Sequence, residues 1–341
     1  MNAGITALAT YLPARAVPNH ELEAQLDTSD EWIRSRTGIT TRHLAADDET
    51  TATLAINATR NLIAAHGEAV LDDVDLVIVA TATPDAYFPS TAALVQGHFG
   101  LTAAAFDLSA ACAGWVYALN VASAQIQAGT SRKALVIGAE TLSRVTNWED
   151  RTTAVLFGDG AGAAIIEPVP APFGFKGSAW GADGQGARHL HVGAHAKALP
   201  TGEPLTPYIV QNGREVFKFA TRAVPEGIHA ALTRAGLGLD DVARIVPHQA
   251  NARIIEAAAQ RLGCDPDKFI VSLHEHANNS AATVPLALHY AAREGLVREG
   301  DHLVLIGFGG GFSWASCVLT WGALTKPPTN VTAGTDATTT A

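Results

Sequence analysis

Two short runs decide how this chain is read: Ala134-Leu135-Val136-Ile137-Gly138 and, 169 positions later, Leu303-Val304-Leu305-Ile306-Gly307. Each is an apolar, β-branched run closed by glycine, the pattern of a strand buried on both faces. Upstream lies a second echo. Leu71-Asp72-Asp73-Val74 precedes the run Leu76–Ala80, and Leu239-Asp240-Asp241-Val242 precedes Arg244-Ile245-Val246-Pro247, 168 positions on. Each copy follows a stretch with helical spacing, residues 51–66 and 215–235. Matches at nearly one offset point to a duplicated α/β half. Short apolar runs alternating with helices predict mainly parallel sheets covered by helices. The expected architecture is two similar halves, residues 1–171 and 172–324, followed by a Thr-, Ala- and Pro-rich tail, residues 325–341, expected to be disordered.

Composition bounds the function. Of 341 residues, 48% are apolar and 16% charged, which suits a well-buried globular protein. A net charge of −10 argues against nucleic-acid binding, which needs a basic surface. Cys112, Cys264 and Cys317 are three cysteines at wide spacing, neither a disulfide framework nor a metal finger. With no basic region and apolar stretch at the start, this predicts a cytoplasmic protein. Residues 108–129 carry no charge and are long enough to span a bilayer, but Ser109, Asn120, Ser123, Gln125 and Gln127 favour a helix in a soluble core, so no membrane partner is expected.

That uncharged stretch contains the leading candidate for chemistry. In Phe106-Asp107-Leu108-Ser109-Ala110-Ala111-Cys112-Ala113-Gly114-Trp115 a cysteine with small neighbours sits where a strand gives way to a helix, read over residues 116–128. A helix N-terminus favours thiolate over thiol; the alternative is a cysteine serving as a small buried hydrophobe. Adding 168 to Cys112 gives Ser280, beside His276 and Asn278 in His274-Glu275-His276-Ala277-Asn278-Asn279-Ser280. A third segment, Val246-Pro247-His248-Gln249-Ala250-Asn251, puts a histidine at another strand end. Cysteine, histidine and asparagine on three strand-end loops combine a nucleophile with groups that stabilise an oxyanion.

Other signals weigh less. Gly158-Asp159-Gly160-Ala161-Gly162 has part of a dinucleotide fingerprint, but an apolar strand follows where a helix is required, so a tight structural turn is expected. His189, His191 and His195 have metal-like spacing without a matching acidic or thiol cluster, and a solvated loop is the preferred reading; no metal is expected.

Taken together, these motifs resemble β-ketoacyl-acyl carrier protein synthase III, a thiolase-fold condensing enzyme that starts fatty-acid synthesis. The resemblance spans residues 4–321 through Asp27-Thr28-Ser29-Asp30-Glu31-Trp32-Ile33, Arg36-Thr37-Gly38-Ile39, Ala110-Ala111-Cys112-Ala113-Gly114, Phe157-Gly158-Asp159-Gly160-Ala161-Gly162-Ala163-Ala164, Pro247-His248-Gln249-Ala250-Asn251 and Phe308-Gly309-Gly310-Gly311-Phe312. It implies a thiolase-like α/β fold in α-β-α-β-α layers, with Cys112, His248 and Asn278 as the triad and the backbone N–H groups of Cys112 and Gly310 as the oxyanion site. It also implies a decarboxylative Claisen condensation of an acyl-CoA primer with malonyl-acyl carrier protein, with acyl-CoA as substrate and no cofactor. Thr28, Trp32, Arg36, Arg151, Asn251 and Arg253 would bind CoA. Gln249, Ala250, Asn251, Ala252, Arg253 and Lys218 would dock the carrier protein, with Arg214 and Arg261 extending a basic rim. Tyr87, Phe88 and Trp115 would line the acyl pocket, one of them reaching across a homodimer interface, and His276 would support the site from behind. Ala277 stands where the family has glycine, Asn279 where it has threonine, and Trp115 where phenylalanine is common. Open alternatives are a same-fold acyltransferase of a secondary-metabolite pathway, a non-catalytic thiolase-fold subunit and a cysteine hydrolase.

Overall fold

The computed structural model describes residues 2–322 and 324; the tail expected at residues 325–341 lies outside the described residues. Two sheets carry the fold. The first has the order β1 (Asn2–Tyr11), β5 (Asp159–Val169), β4 (Ala134–Thr141), β2 (Leu76–Ala80), β3 (Ala104–Leu108). The second has the order β6 (Gly174–Ala182), β9 (Ser313–Thr320), β8 (His302–Gly309), β7 (Val242–Pro247). Strand for strand they correspond: β2–β4 and β7–β8 are parallel, while β4–β5, β5–β1, β8–β9 and β9–β6 are antiparallel. The sheets are therefore mixed rather than mainly parallel, which corrects the expectation. One cause is local: only three residues separate β8 from β9, and a connection that short joins strands only as a hairpin.

Helices fill the remaining layers. α2 (Thr51–His66) covers the outer face of the first sheet, and α4 (Gly213–Ala235), with α5 (Ala252–Leu262) packed on it, covers that of the second. Between the sheets lie α3 (Gly114–Gln127) and α6 (Thr283–Arg293), giving five layers. The period-2 rule divides each central strand between two cores. On β4, Ala134 and Val136 face the middle layer and Leu135 and Ile137 the outer one. On β8, Leu303 and Leu305 face inward, Val304 and Ile306 outward. Between the two sheets α3 is covered on all sides from Gly114 to Ser123, which is why that part carries no charge, while Ala124, Gln125 and Gln127 at its C-terminal end are exposed. No helix among the described residues is long and apolar enough to cross a membrane.

Two turns feed the middle layer: the 3₁₀ turn Ala111–Ala113 leads into α3, and Ser280–Ala282 leads into α6. Their offset is 169, so Ser280 corresponds to Ala111 and the counterpart of Cys112 is Ala281, not Ser280 as the offset of 168 suggests. Each turn presses on the opposite half. A Cβ on Gly307 would lie 2.8 Å from Ala113 Cα, and one on Gly138 would lie 2.5 Å from the Ala281 carbonyl oxygen. The glycines that close the two echoed runs are thus the room each strand leaves for the other half's turn. The glycines at 158–162 form no tight turn, contrary to expectation, since β5 runs from Asp159 paired with β1 and β4. A Cβ on Gly162 would sit 2.6 Å from Pro285 Cβ, so this glycine lets α6 approach the strand.

Candidate active site

β3 ends at Leu108, and the chain turns through Ala111, at φ +46°, to set Cys112 just ahead of α3. Cys112 is buried. Burial pushes its thiol up to about 11 and the nearby Glu140 carboxylate adds to this, while hydrogen bonds from the Ser280 hydroxyl and from the N–H groups of Cys112 and Gly310 act the other way. Gly310 follows β8 in the glycine loop. Its neighbour Gly309 has no room for a side chain, because a Cβ there would lie 2.9 Å from the cysteine sulfur.

His248 follows β7, its N–H donating to the Ile306 carbonyl at 2.7 Å. Its Nδ1 lies 2.5 Å from Thr283 Oγ1, and its ring meets Phe308 edge-on at 5.1 Å. Burial, with His276 nearby, pushes it down to about 3, so it is neutral at physiological pH. Asn278 is clamped by its backbone, donating to the Leu156 carbonyl and accepting from Gly158 N–H, both at 3.0 Å. Its Oδ1 accepts from Ser280 N–H at 2.9 Å, which leaves the side-chain NH₂ as the donor for the cavity. Cys112, His248, Asn278 and Gly310 line one cavity of about 340 Å³.

The same cavity is lined toward its mouth by Trp32, Arg36, Ala250, Asn251 and Arg253. Trp32 and Arg36 lie on α1 (Asp30–Thr37), a helix capped by Ser29, which accepts from Trp32 N–H, and closed by Gly38 in the left-handed region. Arg151 stacks its guanidinium 5.1 Å from the Trp32 ring and donates to the Asp27 carbonyl at 2.6 Å. Thr28 does not line the cavity; its hydroxyl is buried without a partner among the described residues. Asn251 caps α5 by accepting from Arg253 N–H.

The expected docking and pocket residues divide. Gln249 is wholly buried: its NH₂ donates to the Pro247 and Ile270 carbonyls and its Oε1 accepts from Ser272 N–H, so it braces the His248 loop and offers nothing to a docking partner, a correction to the expectation. Ala252 packs inward, toward Gly38. Lys218 and Arg261, with Arg188 and Arg222, line a second cavity of about 520 Å³, whereas Arg214 is exposed outside both. Trp115 is not brought to the first cavity; it is fully buried in the middle layer, its Nε1 donating to the Val136 carbonyl at 3.4 Å. Tyr87 and Phe88 stand outside the cavity on the surface, 70% and 87% exposed.

His276 is buried behind Asn278, with Ser272 Oγ 2.9 Å from Nε2 and Asn279 Oδ1 3.0 Å from Nδ1. Asn279, a departure from the resembled pattern, thus finds its partner in His276. The three candidate metal histidines go separate ways: His189 stacks on Phe312, His191 lines the first cavity and His195 meets Tyr87 edge-on. Sequence reasoning missed Thr283, Phe308 and Glu140. For Glu140 a signal was present, a lone carboxylate in the apolar run Val136-Ile137-Gly138-Ala139-Glu140, since acids are seldom buried without purpose.

Comparison with known proteins agrees over nearly the whole chain. The family model described as 3-oxoacyl-[acyl-carrier-protein] synthase III matches residues 106–184, and that for its C terminus matches residues 232–321. The β-ketoacyl-[acyl-carrier-protein] synthase III of Deinococcus deserti is 48% identical over 322 residues, covering 94% of this chain and 92% of the relative. The solved structure of the Thermus thermophilus β-ketoacyl-[acyl-carrier-protein] synthase III is similar with a TM-score of 0.91 at 50% identity, covering 94% of this chain and 99% of that one. The priming β-ketosynthase of the R1128 polyketide pathway is similar at a TM-score of 0.86 and 36% identity, covering 96% and 97%. Thiolase-like in fold, the chain belongs to the 3-oxoacyl-[acyl-carrier-protein] synthase III family of condensing acyltransferases.

Proposed function

We propose that this protein condenses an acyl-CoA primer with malonyl-acyl carrier protein, with loss of carbon dioxide, to give 3-oxoacyl-acyl carrier protein. The observation that carries the reading is the convergence of Cys112, His248, Asn278 and the Gly310 N–H on one cavity. The Cys112 thiolate attacks the acyl-CoA thioester, and the N–H groups of Cys112 and Gly310 hold the tetrahedral oxyanion while CoA leaves. Malonyl-acyl carrier protein then loses carbon dioxide, with His248 and Asn278 donating to the enolate oxygen, and the carbanion attacks the acyl-cysteine. A histidine held down to about 3 suits a neutral donor better than a base. This requires the single Thr283 proton to go to His248 Nδ1, 2.5 Å away, rather than to the Ser280 carbonyl at 3.0 Å, so that Nε2 carries its hydrogen.

In this reading CoA runs past Asn251 and Arg253 to Trp32 and Arg151, which flank its adenine, with Thr28 and Arg36 alongside; no cofactor takes part. Arg253, with the Lys218, Arg222 and Arg261 cluster, supplies a basic rim for an acidic carrier protein. The exposed Tyr87-Phe88 loop is the homodimer contact, Phe88 entering the partner's acyl pocket, because rings this exposed call for cover. The setting is the cytoplasm.

The test supplies radiolabelled acyl-CoA and malonyl-carrier protein and identifies the product. A 3-oxoacyl product supports condensation; an acyl group passed on unchanged shows simple transfer and overturns it. Asn278→Ala sharpens the result: Cys112 still acylates, while condensation falls about 100- to 1,000-fold, the usual loss for one oxyanion donor. Equal loss of both half-reactions counts against an enolate role for Asn278.

A further inference from the structure

Glu140, near the end of β4, is fully buried, a setting that is costly for a carboxylate unless donors surround it. The strand explains where it points. Ala134 and Val136 face the middle layer, and the period of 2 carries Gly138 and Glu140 to the same side. β4 pairs with β2 as far as Gly138 and Ala80, and two residues further the same register sets Ala82 beside Glu140. The ladder has ended there, and the Glu140 side chain takes its place. The carboxylate accepts from Ala82 N–H with both oxygens, at 3.2 and 3.1 Å, and its Oε2 accepts from Thr83 Oγ1 at 2.6 Å and Thr81 Oγ1 at 3.2 Å. Both hydroxyls have a proton to give: Thr83 Oγ1 already accepts from Thr141 N–H at 3.0 Å, and Thr81 Oγ1 from Thr83 N–H at 3.1 Å. Oε1 reaches the other half of the molecule, accepting from Ala281 N–H in the second turn at 3.4 Å. Ala82 and Thr83 line the cavity that holds Cys112. One carboxylate thus joins a wall of that cavity to the turn of the opposite half.

We propose that Glu140 sets primer selectivity: by holding the segment 81–83 against the turn at Ala281, it fixes how far the cavity opens and so which acyl chains fit. The inference rests on the reading of Cys112 as the nucleophile that takes the primer. In that reading CoA occupies the side of Trp32, Asn251 and Arg253, which leaves Ala82 and Thr83, just past a strand end of the first sheet, to the acyl chain. Both side chains are small, so the position of their backbone decides the space they leave. Glu140 itself does not line the cavity and makes no bond to substrate. It is a positioning residue that acts through the wall it holds. The segment has a second tie, Thr51 Oγ1 of α2 donating to the Thr83 carbonyl at 2.5 Å. With the carboxylate removed that tie remains, so the wall shifts without leaving the sheet. A shift that admits or excludes one methylene is worth about 10- to 200-fold in discrimination.

The test compares the full-length wild type with Glu140→Gln, Thr81→Val and Thr81→Ser. The second-order rate of Cys112 acylation is followed by intact-protein mass spectrometry across saturated acyl-CoAs from acetyl to decanoyl. Glutamine keeps the size of the side chain but has one acceptor oxygen where the carboxylate has two, so either the threonine hydroxyls or the Ala281 N–H is released. Thr81 lies outside the cavity lining; valine removes its tie to Glu140, and serine keeps it. Loss of the Glu140 charge also changes the acidity of the thiol, but this acts equally on every primer and cancels in the ratio between them. In Glu140→Gln the ratio between the preferred primer and the next longer one shifts by about tenfold, the lower range for one methylene. Thr81→Val gives a smaller shift in the same direction, and Thr81→Ser keeps the wild-type profile. A Glu140→Gln profile within about twofold of wild type, or a uniform loss on every primer, overturns the proposal. If Glu140→Gln fails to fold by circular dichroism, Thr81→Val decides alone by the same criterion. A Cys112→Ala control that still takes up acyl groups overturns the nucleophile assignment itself, a different failure.

Discussion

The turns at Ala111–Ala113 and Ser280–Ala282 have nearly the same backbone and different work. Each opens on a residue at φ +46° or +47°, makes one 3₁₀ turn and releases a helix into the middle layer. The preceding residues match as well, Ala110 at ψ 32° and Asn279 at ψ 31°. What differs is which position bears a reactive atom. The first turn puts a thiol at its second residue, Cys112, while the second puts a hydroxyl at its first, Ser280. Because each turn presses on the glycine of the opposite half, the two side chains meet near the pseudo-twofold axis. Duplication provided the strained turn twice, and a one-residue difference in where the heteroatom sits gives the shared cavity a thiol from one half and a hydroxyl from the other.

The strongest way to break this comparison is to move the thiol. Cys112→Ala abolishes the acyl adduct, and Cys112→Ser slows acylation by on the order of 10⁴-fold or more, as loss of a covalent nucleophile does elsewhere. The informative variant is Cys112→Ala combined with Ala281→Cys, which places the thiol at the equivalent residue of the second turn. Ala281 is fully buried against Gly138 and does not line the cavity, so intact-protein mass spectrometry after acyl-CoA treatment should find no adduct. An acyl adduct on this double variant would mean that turn geometry alone makes the nucleophile.

How much of this was legible follows the same division. Ala134–Gly138 and Leu303–Gly307 announce two buried strands because apolar runs must be covered on both faces, and Cys112, His248 and Asn278 sit at strand ends where loops converge. Strand direction was hidden, since a run buried on both faces reads alike in parallel and antiparallel sheets; hence the mixed sheets went unseen. The pairing of Ser280 with Cys112 slipped by one because the second half gains a residue between β7 and its turn, and a one-residue slip changes which side chain faces the site. Gln249 reads as a surface polar residue, and only the fold shows its amide satisfied by three backbone groups. Glu140 was visible as an oddity, but its partners Thr81, Ala82, Thr83 and Ala281 lie 57 to 141 positions away in the sequence and could not be read locally.

The helices that leave the two turns give a second, smaller contrast. His289 on α6 stands where α3 has Asn120, 169 positions earlier, and both are buried. Burial, with Arg293 and His66 near it, pushes His289 down to about 4. Its folded value lies below the unfolded one, ~6.5, so between the two the unfolded chain binds a proton that the native state refuses. Stability is unaffected above that range and falls as pH drops through it. His248 and His276, at about 3 and about 4, act in the same direction. His289→Asn makes the second helix like the first at this position. Urea denaturation at pH 7.5 and 5.0 should show the wild type losing about 2 kcal/mol more than the variant on acidification. Parallel losses would show that His289 titrates normally in the fold.

The smallest effect concerns how the chain enters each turn. Three residues before Ala111, Leu108 is the last residue of β3; three residues before Ser280, Ala277 lies at φ +60°, ψ −156°. That region belongs almost wholly to glycine, and a Cβ there costs roughly 1–3 kcal/mol. Strain is tolerated because the backbone on either side is tied down: Ala277 N–H donates to the Leu273 carbonyl, and Asn278 is paired with Leu156 and Gly158. Ala277→Gly removes the strain but also a buried methyl, about 0.8 kcal/mol, and it frees the unfolded chain, about another 0.5 kcal/mol. The balance favours glycine by about 1 kcal/mol, seen in calorimetry as a rise in Tm of roughly 2 °C for a chain of this size. Condensation should hold or improve, since Asn278 keeps both of its backbone anchors. A lower Tm in Ala277→Gly would show that the methyl contributes more by packing than it costs in strain, and that the second turn is entered as comfortably as the first.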